Sequence, residues 1–159
     1  MSYMVGKSRM TSAVSITNAM VVTASAYDNQ DSLGWPYEIP YAVGLEGGLL
    51  TQSLMYLTAT GVTPAIRVHF YATSGSGVTA GVSHVIDVPI HLGFLDHNVW
   101  ASAGGGLIVS QVDTPNLSLY NNGPENARSI WATLEARNTA FGFGASATPM
   151  RHKIGALQD

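Results

Sequence analysis

From residue 66 the chain reads Ile-Arg-Val-His-Phe-Tyr, with Ile66, Val68 and Phe70 on one side and Arg67, His69 and Tyr71 on the other. A period of two is the mark of a strand with one buried face. The same pattern runs from Ser12 to Val22, where Val14, Ile16, Met20 and Val22 oppose Ser15, Thr17 and Ala19, and Asn18 interrupts the inner row. Further on, Ile130, Ala132, Leu134 and Ala136 oppose Trp131, Thr133, Glu135 and Arg137. Asn126 would cap a helix there, but the alternation decides for a strand. GLLTQSLMYLTATG from Gly48 reads as a long strand closed by Gly61 and Pro64, and VIDVPI, GLIVSQV and PMRHKIGAL are further strands. The connections are turn-rich: Asp28 to Gly34, the pieces broken by Pro36 and Pro40, and SGSGVTAG. Seven or eight strands without a convincing helix predict an all-β, antiparallel β-sandwich or barrel. Residues 12–159 form a single β-sandwich domain in this reading, with Ile66, Val68, Phe70, Ile130 and Leu134 between the sheets. Residues 1–11 lack periodicity and are expected as an N-terminal arm.

Composition alters this picture at one point. Charged residues make up 11% of the chain, well below the roughly 25% of an ordinary soluble domain. Ser, Thr, Asn and Gly fill the deficit, so the surface is expected to be polar and nearly uncharged. Buried interface centres are poor in charge. Such a surface suits a protein that faces other protein, and it equally suits a monomer kept soluble by hydroxyls and amides. A net charge of −3 and seven scattered basic residues give no nucleic-acid face, which needs clustered Lys and Arg. Lys7 and Arg9, in the arm, come nearest to a basic patch. The chain has no cysteine, hence no disulfide or thiolate framework. No apolar run long enough for a transmembrane helix and no apolar signal block occur, so neither a membrane partner nor ordinary export is expected.

The stretch HVIDVPIHLGFLDH places three histidines and two aspartates between His84 and His97. Metal ligands on one strand must lie two residues apart to share a face. His84, His91 and His97 do not, and Pro89 and Gly93 intervene. The stretch therefore reads as a loop and strand with hydrogen-bonded or solvated histidines. No metal and no cofactor are expected, and chelators should leave the fold unchanged. A site recruiting His69 or His152 in three dimensions stays open. DNQD at 28–31 lacks the remaining ligands of a calcium loop. SGSG and AGGGL lack the lysine of a phosphate loop, and no GxSxG is present. Asp113, Glu125 and Glu135 could pair only as any sandwich's carboxylates do by chance. The expectation is that the chain is not an enzyme.

Three segments, AYDNQDSLGWPYEI, AIRVHFYATS and SIWATLEARNTAF with a last strand ending ALQD, occur in an order that resembles the jelly-roll capsid decoration (cement) proteins of tailed bacteriophages. The likeness is carried by Tyr27, Asp28 and Gly34; Ile66, Val68 and Phe70; Ala136, Arg137 and Asn138; and Gln158 and Asp159. It departs after the middle strand, where SGVTAGVSHVID stands in place of an Asp-Asn-Ala segment. The resemblance implies a jelly-roll sandwich of about eight strands and a virion structural protein; the expected location is the capsid surface, with assembly in the host cytoplasm. It also implies binding to a major capsid protein, with self-association as a homo-oligomer on the shell.

Aromatic and Arg side chains dominate interface hot spots. Candidate protein-interface residues are therefore Arg67, His69 and Tyr71 on one outward row, Trp131 and Arg137 on another, Trp35 and Tyr37 in the turn-rich segment, and Lys7 and Arg9 in the arm. The alternative function is a carbohydrate- or receptor-binding jelly roll of a phage tail or spike, with Trp35 and Tyr37 as an aromatic platform beside Asp28, Asn29 and Asp31.

Overall fold

A computed structural model describes residues 7–11, 28–44, 47–58, 63–74, 81–121, 128–137 and 150–158. The strand expected at 12–22, and Tyr27, Asn138 and Asp159, lie outside the described residues. The strands are β1 (Lys7–Thr11), β2 (Tyr37–Ile39), β3 (Gly48–Thr58), β4 (Ile66–Tyr71), β5 (His91–His97), β6 (Ala101–Gly104), β7 (Leu107–Leu119), β8 (Ile130–Ala136) and β9 (Met150–Gln158). They form a five-stranded sheet, β1-β9-β3-β7-β6, and a four-stranded sheet, β2-β8-β4-β5. Every pairing is antiparallel.

With β6 set aside as a hairpin partner of β7, the pairs are β1 with β9, β2 with β8, β3 with β7 and β4 with β5. Successive pairs alternate between the two sheets. That is one long hairpin wrapped on itself, the jelly-roll arrangement.

Sequence alternation becomes core directly. Ile66, Val68, Phe70, Ile130 and Leu134 are all buried, and they join Leu50, Met55, Leu57, Met150, Ile154 and Ala156 of the other sheet in one cluster. In β3 the register slips between Leu50 and Gln52, so the inward row runs Leu50, then Ser53, Met55 and Leu57. This extra residue is a β-bulge, which resets the face that a strand presents.

The core is also crossed by a polar chain. Tyr37 Oη and His152 Nδ1 are 2.7 Å apart, His152 Nε2 and Ser53 Oγ 2.8 Å, Ser53 Oγ and His97 Nε2 2.9 Å, and His97 Nδ1 and Ser110 Oγ 3.0 Å. It links β2 and β5 of one sheet to β9, β3 and β7 of the other. Buried polar groups persist where they are hydrogen-bonded, and here each member satisfies the next.

Two expectations change, and one glycine run finds its role. VIDVPI is not a strand: residues 84–87 are irregular, Val88–Ile90 form one 3-10 turn, and the strand begins at His91. Pro89 supplies no N–H for a sheet ladder, which favours the turn. Residues 7–11 are not a free arm but an edge strand, with Lys7 opposite Gln158 and Thr11 opposite Ile154. AGGGL closes the β6–β7 hairpin, where Gly104, Gly105 and Gly106 all have positive φ, a conformation that glycine adopts without a Cβ penalty.

Candidate functional site

The outer face of the four-stranded sheet is assembled by register. Tyr71 lies opposite His91 and Trp131, His69 opposite Phe94 and Thr133, and Arg67 opposite Asp96 and Glu135. These side chains form the polar rows read from the sequence, yet they do not face solvent freely. Gln30 and Leu33 donate backbone N–H groups to the Ala136 and Leu134 carbonyls, which continues the ladder beyond β2 along β8. The next layer of the ladder is the loop ahead of β5: Ser32 donates to the Val82 carbonyl, Gly81 to Ser32 and His84 to Gln30. Main-chain bonds thus return residues 81–84 to the sheet and set His84 against His69.

The two imidazoles stack with centroids 4.3 Å apart at 16°. His69 Nε2 lies 2.6 Å from Glu135 Oε2, and its Nδ1 lies 3.1 Å from His91 Nε2. Arg137 donates to the other Glu135 oxygen at 2.9 Å, and His84 Nε2 contacts Thr133 Oγ1 at 2.7 Å. Arg67 closes one side, paired with both Asp96 oxygens and lying 3.9 Å over the Phe94 ring. Buried beside His91 is Tyr71, whose phenol is raised above its ordinary range by burial, with a hydrogen bond to Thr133 acting against the rise.

Burial governs the protonation of this cluster. It depresses His69, with Glu135 opposing, and it lowers His84 to about 4, helped by repulsion from His69. His91 is lowered for the same two reasons. For Glu135 burial acts upward, but the hydrogen bonds from His69 and Arg137 outweigh it, and the carboxyl stays below its ordinary range. At neutral pH the site is therefore three neutral imidazoles around a carboxylate, the protonation state in which histidine ligates metals. His69, His84 and Glu135 each offer one ligand atom, and these atoms lie within 4.8 Å of one another.

No family model, characterised protein or solved structure matches this chain.

The expected interface residues divide into three groups. Trp35 is 48% exposed, while Trp131, Arg67 and Arg137 are half-buried at the rim of the cluster. Tyr37, His69 and Tyr71 are buried and therefore not available to a partner. For His69 and Tyr71 the reason is that alternation identifies the two faces of a strand, but not whether a distant loop covers the outward one; Tyr37 lies on the inward row of β2. Lys7 and Arg9 lie on β1, at positions opposite Gln158 and Ala156. The structure brings together His69, Tyr71, Arg137 and, at one remove, Arg67; it leaves Trp35, Tyr37 and β1 elsewhere.

Sequence reasoning did not gather His84, His91, Thr133 and Glu135. Glu135 and Thr133 share the outward row of β8, which is a legible signal. No local spacing connects His84 to them.

Two surface features complete the inventory. Val82, Val85, Ile86 and Val88 are exposed along the loop that covers the cluster, with Phe94 exposed on β5. On the outer face of the other sheet, Tyr56, Thr58, Leu107, Arg151 and Lys153 line a groove of about 330 Å³. Among the described residues no helix is long and apolar enough to cross a membrane.

Proposed function

We propose that this chain is a capsid decoration protein: a virion structural protein without catalytic activity that binds and stabilises a shell built by a major capsid protein. The observation that carries the reading is the apolar ridge Val82, Val85, Ile86 and Val88, of which Val88 is 75% exposed. Scattered surface apolar residues need no explanation, whereas four exposed apolar side chains within residues 82–88 of one loop suit a protein contact. The scarcity of charge supports the same reading, as does the resemblance of the three sequence segments to jelly-roll cement proteins. Copies of the chain associate with one another on the shell in this proposal. The receptor-binding alternative has less support, because Tyr37 is buried against His152 and leaves Trp35 without its partner in an aromatic platform.

The test uses shells assembled without this protein. The purified chain should co-sediment with them and raise the temperature at which they lose their genome, because a ligand of the intact shell opposes its disassembly by mass action. The double variant Val85→Asp, Val88→Asp should keep the wild-type circular dichroism spectrum and lose binding. Equal binding by that variant, or a chain that ignores shells and binds host glycans, would overturn the proposal.

A further inference from the structure

His69 on β4, His84 on the covering loop and Glu135 on β8 come from three separate parts of the chain, yet their ligand atoms converge. We propose that these three residues bind one divalent transition-metal ion of the zinc class. The proposal stands on this geometry and does not rest on the decoration reading.

Two imidazoles and one carboxylate are a donor set that zinc accepts, with bonds of about 2.0–2.2 Å. Donor atoms on a tetrahedral ion then stand roughly 3.3 Å apart. The 2.6 Å separation of His69 Nε2 and Glu135 Oε2 must widen by less than an ångström, and His84 must close in from within 4.8 Å. Both are side-chain adjustments, and because the two rings stack nearly parallel at 16°, the His84 ring must also turn so that its in-plane lone pair meets the ion. With the proton of His69 on Nδ1, its Nε2 lone pair and Glu135 Oε2 both face the ion. Nδ1–H then donates to His91 Nε2, already 3.1 Å away. No proton is gained or lost overall: His69 moves its proton from Nε2 to Nδ1, and His91 moves its own from Nε2 to Nδ1 so that Nε2 can accept. A water molecule fills the fourth position.

The surroundings have the form expected of outer-shell support, in which each ligand is oriented by a further hydrogen bond. His91 holds His69, Arg137 holds the second Glu135 oxygen at 2.9 Å, and Thr133 holds His84 at 2.7 Å. His84 itself is fixed by its backbone bond to Gln30. The ion would clamp the 81–90 loop, and the apolar ridge it carries, onto the sheet. Histidine spacing within single strands led to the opposite expectation, because it could not register ligands from three segments.

The experiment takes the full chain without any histidine tag, strips it with chelator and titrates it with Zn²⁺ by calorimetry and with Co²⁺ by absorption. One equivalent should bind with Kd below micromolar, and Co²⁺ should give the visible bands of a four-coordinate nitrogen–oxygen site. His84→Ala should weaken binding by more than about 100-fold, at least as much as losing an outer-shell partner does. Imidazole NMR of the wild-type chain reports independently of any folding defect: Zn²⁺ should shift His69, His84 and His91 and leave His97 and His152 unmoved. Absence of stoichiometric binding, retention of affinity in His84→Ala, or shifts confined to His97 and His152 would each refute the site.

Discussion

Protonating the histidines between the sheets should unfold the protein in mild acid. His97 and His152 are fully buried, and burial lowers them from an ordinary 6.5 to about 4 and about 3, respectively. The folded state holds them neutral, whereas the unfolded chain protonates both below pH 6.5. Unfolding therefore takes up protons between those values, and stability present at neutral pH falls as pH falls. The size at pH 4.5 is nearly independent of how far the folded values are depressed, because that pH lies above both. Each histidine then contributes the cost of two pH units below its unfolded pKa, about 2.5 kcal/mol. Together they remove about 5 kcal/mol, comparable to the lower end of typical domain stability of about 5–15 kcal/mol. The perturbation is His152→Gln, which retains polar contact with Tyr37 and Ser53. Urea unfolding at pH 7 and pH 4.5, with chelator present throughout, measures the difference. The variant should be less stable at pH 7, yet its loss between the two pH values should be about 2.5 kcal/mol smaller than that of the wild type. An equal loss in both proteins would refute the claim that His152 is buried in the neutral form.

Other outcomes follow from packing. Phe70→Ala, at a fully buried centre of β4, should cost about 3–5 kcal/mol by urea unfolding, as large-to-small core changes do. Gly93→Ala should destabilise by about 1–3 kcal/mol, read from the urea midpoint. Gly93 has φ of +145°, and a Cβ there would come within 2.5 Å of Leu117 Cδ1. Arg67→Ala should cost no more than about 1 kcal/mol in the same assay, since its ion pair with Asp96 is partly solvated.

The sandwich was legible because β4 and β8 carry clean alternation, and the five residues assigned to the core from it are buried. β9 carried the same signal for its histidine: Met150, His152 and Ile154 occupy one inward row, with Arg151 and Lys153 between them. VIDVPI misled because an apolar run reads as a buried strand unless the proline is given its weight. Here the apolar side chains stay exposed on a loop. The histidine–glutamate cluster was illegible for a different reason. It depends on a backbone ladder joining residues 30–32 to 81–84, some fifty positions apart. Nothing in the composition of either segment announces that pairing, and without it His84 has no address.

The wrapped hairpin also bears on how the chain is made. β9 supplies the partner for β1 and one flank of β3, so two of its neighbours wait for residues 150–158 to be synthesised. Until then β3 has β7 on one side only, and β1 has no ladder at all. Non-local pairings of this kind fold slowly and leave strand edges open in the meantime. A nascent chain halted before Met150 should therefore be held in a protease-sensitive, chaperone-dependent state on the ribosome. Completion of the sandwich is thus timed by emergence of the last strand rather than by emergence of the first.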